Sequence, residues 1–136
     1  MHTPAPRTLA LRASAVTYPG STEHISAVRA DLRPLLRHCP MADEVILCAS
    51  ELAANAVLHS RSRLPGGSFA VRARVTTGDH VRIEVEDDGG PWAAEMSDSA
   101  GHHGLYIIRA LATEWGIDGD QSARVLWVRF DWPDRP

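Results

Sequence analysis

The amino-acid sequence predicts an α+β domain: a two-layer α/β sandwich whose mixed, mostly antiparallel sheet is covered on one face by about three helices. Three observations predict it. Apolar residues alternate with charged ones at 69–75, 81–86 and 126–130, which is the period of half-buried strands. They recur at helical spacing at 25–36, 42–59 and 105–115. A Thr77-Gly78-Asp79 turn joins two of the alternating runs, and so short a connection makes them antiparallel. With 136 residues, 44% of them hydrophobic, one core is expected, formed by residues 9–132 between tails at 1–8 and 133–136.

Leu9 to Tyr18 reads as a first strand, stopped by the Pro19-Gly20 turn signal. Ser21 or Thr22 can then cap a helix with the stripe Ile25, Val28, Leu32, Leu35 and Leu36; Pro34, which has no amide donor, should kink or end it near Arg33. A second helix starts at Ala42 or Asp43 and ends before the breaker Arg63-Leu64-Pro65-Gly66-Gly67. Phe69, Val71, Ala73 and Val75 form one arm of a hairpin, and Val81, Ile83 and Val85 the other. Residues 90–103 are expected to form a long loop of the kind that serves as a lid. Leu105, Ile108, Leu111, Ala112 and Trp115 then mark a third helix, and Leu126, Val128 and Phe130 a last strand.

Composition excludes several classes of function. A formal charge of -3 and a pI near 6.1 provide no basic field for nucleic acid or acidic membranes. All 14 basic residues are arginine, so no phosphate-binding or Schiff-base lysine is available. Two cysteines, Cys39 and Cys48, with no Cys-x-x-Cys pair, are too few for a disulfide framework or zinc ribbon. No apolar run is long enough for a signal peptide or a membrane span, so a cytoplasmic protein is expected.

Polar residues concentrate in three places. Glu51, Asn55 and His59 stand four apart on the second helix, on a ridge that drifts only about 40° per step, framed by Leu52, Leu58 and alanines. Such a ridge suits a pocket wall, or else an exposed edge with His59 supporting the helix C-terminus. In Val85-Glu86-Asp87-Asp88-Gly89-Gly90 the period of two sends Asp87 inward with Val81, Ile83 and Val85, and Asp88 outward. An inward carboxylate needs a donor, which a nucleobase amine could supply; capping the Gly89-Gly90 turn is the alternative. Finally, Gly101-His102-His103-Gly104 opens the helix from Leu105, where free amides and the helix dipole can seat an anion. Its spacing matches neither a Walker motif nor a dinucleotide fingerprint.

Taken together and in order, ELAANAVLHS, VEDDGG and GHHGLYII resemble the N, G1 and G2 boxes of the histidine-kinase-like ATPases (GHKL), which have the Bergerat ATP-binding fold. The stand-alone anti-sigma-factor serine/threonine kinases are the most similar type. The resemblance runs from about residue 20 to 132 and implies ATP and Mg²⁺ as cofactors. It implies that Asn55 coordinates Mg²⁺, that Glu51 is the general base, and that Asp87 accepts from the adenine amine. By the same resemblance Gly89 lets the backbone approach the base, Gly101 and Gly104 let a lid fold over the phosphates, and amides near Gly104 and Leu105 receive phosphate oxygens. His59 occupies a position where such proteins carry a His or another polar residue. The implied partners are a sigma factor and an anti-sigma-factor antagonist, or another transcription regulator, with a possible homodimer. A non-catalytic ATP-driven switch, and a relative that has lost nucleotide binding, are the other readings. The short stretch before the first strand leads one to expect a stand-alone domain rather than a sensor kinase.

Overall fold

The computed structural model describes residues 11–90 and 103–133. Five strands form one sheet in the order β1 (Leu11–Pro19), β2 (Ser68–Thr76), β3 (His80–Asp87), β5 (Arg124–Asp131) and β4 (Glu114–Gly119). The expected mostly antiparallel sheet is antiparallel at every pairing. Helices α1 (Ile25–Leu35), α2 (Ala42–His59) and α3 (His103–Leu111) cover one face.

The two faces follow from strand alternation. Phe69, Val71, Ala73 and Val75 of β2, Val81, Ile83 and Val85 of β3, and Leu126, Val128 and Phe130 of β5 are all buried. They meet Val28 and Leu32 of α1, Ile108 of α3, and the long inner side of α2 from Val45 to Val57 in one core. Each fully buried aliphatic or aromatic side chain in it contributes roughly 1.5–3 kcal/mol. Tyr18 stacks on Phe69 with ring centroids 5.4 Å apart, and its hydroxyl donates to Asp31 Oδ2 at 2.6 Å, fastening β1 to α1. Burial and the Asp31 carboxylate beside it push the Tyr18 phenol up.

The helix-free face is polar. Arg72 donates to Glu84 and Glu86, Arg82 donates to Glu84, and the Arg82 guanidinium lies 4.3 Å from the Trp127 ring centre. A hollow of about 460 Å³ opens on this face, lined in part by Ala13, Ala15, Arg72, Arg74 and Arg82. It lies across the sheet from the ridge of α2.

The structure corrects the sequence reading at two elements. Ser21 and Thr22 do not cap α1: Thr22–His24 forms a 3-10 turn, the Ser21 hydroxyl meets His24 Nδ1 at 2.7 Å, and the α-helix starts at Ile25. The third helix does not reach Trp115. It ends at Leu111, and Trp115 belongs to β4, an edge strand that periodicity hid. Its sequence Glu-Trp-Gly-Ile-Asp-Gly is poor in strand formers, and Trp115 stands four residues after Leu111, in helical phase. Gly116 is needed there, because a Cβ would press on the Trp127 ring. Pro34 falls in the last turn of α1, so the helix ends at Leu35, close to the expected place.

Cys39 and Cys48 are both buried and free. Burial pushes the Cys48 thiol up to about 12, with Glu51 and Glu44 acting in the same direction. Neither thiol is therefore expected to react with a disulfide reagent at pH 8 in the folded protein, and both should react on denaturation. Fast labelling of Cys48 in the native state would show that α2 opens.

Candidate functional site

The ridge on α2 is present, with graded burial: Asn55 is 7% exposed, while Glu51 and His59 are half-buried. The apolar frame is one-sided, since Leu52 is buried and Leu58 exposed. Asn55 Oδ1 is buried without a hydrogen-bond partner among the described residues. An amide oxygen in that state forgoes the hydrogen bond it makes in water, a cost of about 1–3 kcal/mol. Such an orphan has a ready explanation as a ligand-directed group. Among the described residues no cluster of three His, Cys, Asp or Glu side chains could hold a metal. A neutral amide oxygen is a ligand type that a hard cation such as Mg²⁺ accepts alongside water and phosphate oxygens.

After α2 the chain makes a 3-10 turn, Arg61–Arg63, that ties the helix to the end of β3. The Arg61 N–H donates to Gly89 O at 2.8 Å, and the Asp88 N–H donates to Ser62 Oγ at 2.9 Å. These bonds hold Asp87 to Gly90 beside the C-terminal end of the ridge. Strand phase is obeyed: Asp87 is buried and Asp88 exposed.

Asp87 does more than cap a turn. Its Oδ1 accepts the Gly89 N–H at 2.8 Å, so the turn-capping alternative is realised by one oxygen. Its Oδ2 accepts Arg124 Nε at 2.9 Å and Nη2 at 2.7 Å, in an ion pair whose side chains are both wholly buried. Burial pushes the Asp87 carboxyl up, against the opposing pull of the Arg124 guanidinium and the Gly89 N–H. With three donors directed at it, the carboxylate is the form the surroundings are built for.

Sequence reasoning misses Arg124, although a signal for it is present. It lies two residues before Leu126 and so shares the core face with Leu126, Val128 and Phe130, while β5 pairs it directly with Asp87. An arginine on the inward phase of a strand calls for a buried carboxylate, and Asp87 had the matching phase.

Gly89 has φ +72°, and a Cβ on it would collide with the Gln121 carbonyl. Its neighbour Gly90 donates to the same carbonyl at 2.9 Å. The close approach that this glycine permits is thus to the β4–β5 connection. Gly104 and Leu105 lie in the first turn of α3, where amides have no partner within the helix, and the Leu105 side chain is buried. Gly101, the rest of the lid expected at 90–103 up to His102, and the chain tails lie outside the described residues, apart from Gly90 at the loop's start and Pro133.

The family model described as the histidine kinase-like ATPase domain matches residues 18–132. The chain belongs to that family, and its five-stranded sheet with helices on one face is the family's α+β fold. The domain is an ATP-binding one of regulatory type. A search of curated proteins finds no match. Among the described residues no helix is long and apolar enough to cross a membrane.

Proposed function

We propose that this chain binds ATP with Mg²⁺ and acts as an anti-sigma-factor serine/threonine kinase, transferring phosphate to a Ser or Thr of an anti-sigma-factor antagonist and binding a sigma factor in its alternate state. The observation that carries the reading is the buried Oδ1 of Asn55, without a hydrogen-bond partner among the described residues and one helical turn from Glu51 on the same ridge. When bound, Mg-ATP supplies a transferable phosphoryl group whose charge the metal neutralises.

The chain's own residues divide the remaining work. Asn55 Oδ1 offers the one neutral oxygen ligand on the ridge. Glu51, half-buried and one turn away, takes the proton of the attacking hydroxyl. Asp87 accepts the base amine, and the first-turn amides of α3 at Gly104 and Leu105 receive phosphate oxygens. His59, at the last residue of α2, lines the ridge's end nearest Gly89.

Incubation with labelled ATP, Mg²⁺ and an antagonist protein tests the reading: label should appear on a Ser or Thr of the antagonist. Glu51→Gln is expected to lower transfer roughly a hundredfold or more while leaving the Kd for Mg-ATP within about threefold. Undiminished transfer in Glu51→Gln would remove it as the base. Tight ATP binding with no transfer to any candidate would instead favour the non-catalytic switch, in which nucleotide alters only partner affinity.

A further inference from the structure

The carboxylate that would read the base is already mostly engaged. A carboxylate offers about four lone-pair positions, and three on Asp87 are taken: one on Oδ1 by the Gly89 N–H, and both on Oδ2 by Arg124 Nε and Nη2. Among the described residues a single acceptor position is left, on Oδ1.

Purine edges differ in what they ask of such a group. Adenine presents one exocyclic amine beside a ring nitrogen that accepts, so one acceptor satisfies it. Guanine presents a ring N–H and an exocyclic amine side by side, a two-donor fork that fits both oxygens of an unencumbered carboxylate. Arg124 presents a fork of the same kind and has filled Oδ2 with it. Both side chains are wholly buried, so bulk water is not at hand to take a displaced donor. A guanine fork would leave an N–H facing a guanidinium, or would break the buried, doubly hydrogen-bonded contact of Arg124 with its carboxylate.

We propose that Arg124 is a specificity-determining residue of the nucleotide site: by occupying Oδ2 of Asp87 it leaves one acceptor, which admits adenine and refuses guanine. This inference deepens the nucleotide reading above and rests on it. Selectivity comes here from a negative element, a filled acceptor, rather than from an added contact to the favoured base.

Calorimetric titration of the full chain with Mg-ATP and Mg-GTP provides the test. The parent should bind ATP at least about tenfold more tightly than GTP. In Arg124→Lys, whose single ammonium keeps a cation against Asp87 but releases a lone pair, that ratio should fall several-fold. In Arg124→Met it should approach one, with thermal melting used to check that this variant is folded. The Lys variant carries the test if the Met variant is not. Comparable ATP and GTP affinities in the parent, or an unchanged ratio in folded Arg124→Lys, overturn the assignment while leaving ATP binding intact. No ATP binding by the parent overturns the nucleotide reading itself, and this inference with it.

Discussion

Asn55→Ala is expected to weaken Mg-ATP binding by roughly tenfold to a hundredfold or more, because a hydrogen bond or ligand contact to a charged group is worth about 1.5–3 kcal/mol. The same substitution should leave the fold as stable as before, or slightly more so. Oδ1 has no partner among the described residues, so its removal relieves an unmet acceptor worth about 1–3 kcal/mol, offset by about 1 kcal/mol of lost packing. A ligand-binding residue whose loss costs affinity but not stability is what a functional, locally unfavourable side chain looks like. Calorimetry and urea denaturation on one preparation check both halves. Normal Mg-ATP affinity in Asn55→Ala would remove Asn55 from the site, and a stability loss above about 2 kcal/mol would show that Oδ1 is satisfied in solution.

Asp87→Ala should behave in the opposite way, losing both properties together. Truncating one member of a buried ion pair takes from the other its directly bonded counter-charge, at a cost of up to about 3–5 kcal/mol. For a domain of this size that lowers Tm by roughly 10 °C or more. Replacing both members with apolar residues, Asp87→Leu with Arg124→Met, should recover much of that loss, since the penalty comes from the charge that has lost its counter-charge. Nucleotide binding should not return with it. A single Asp87→Ala variant within about 1 kcal/mol of the parent would mean that Arg124 finds another partner or solvent at little cost.

The hairpin was legible in the sequence because its signals are local: Val71 and Val75 on β2 and Val81 and Ile83 on β3 alternate cleanly around a short turn. Asp87 could be chosen over Asp88 for the same reason, since strand phase alone decides which carboxylate is buried. What escaped was set by partners distant in the chain. Arg124 lies 37 residues from Asp87, and its phase with Leu126 marks it as inward-facing without saying which carboxylate receives it. Edge strand β4 depends on Trp127 packing over Gly116, a contact that outweighs its weak intrinsic propensity and the helical phase of Trp115. At the start of α1, Ser21 had the right chemistry for a cap, but the 3-10 turn placed three residues between it and the first helical residue. The ridge of Glu51, Asn55 and His59 was visible from spacing, whereas the unequal burial along it, greatest at Asn55, emerges only from the packing of α2 over the sheet.

Ser62 is wholly buried, and several distant stretches of chain converge on it. Its hydroxyl receives the Asp88 N–H, and its carbonyl lies so close to Gly20 and Gly67 that neither position has room for a side chain. The end of β1, the exit of α2, the entry to β2 and the tip of β3 are thereby clamped at one point. The helix that carries Asn55 and the strand end that carries Asp87 are joined into one piece, so under the proposed reading the distance between the proposed metal ligand and the proposed base acceptor is set by the fold itself.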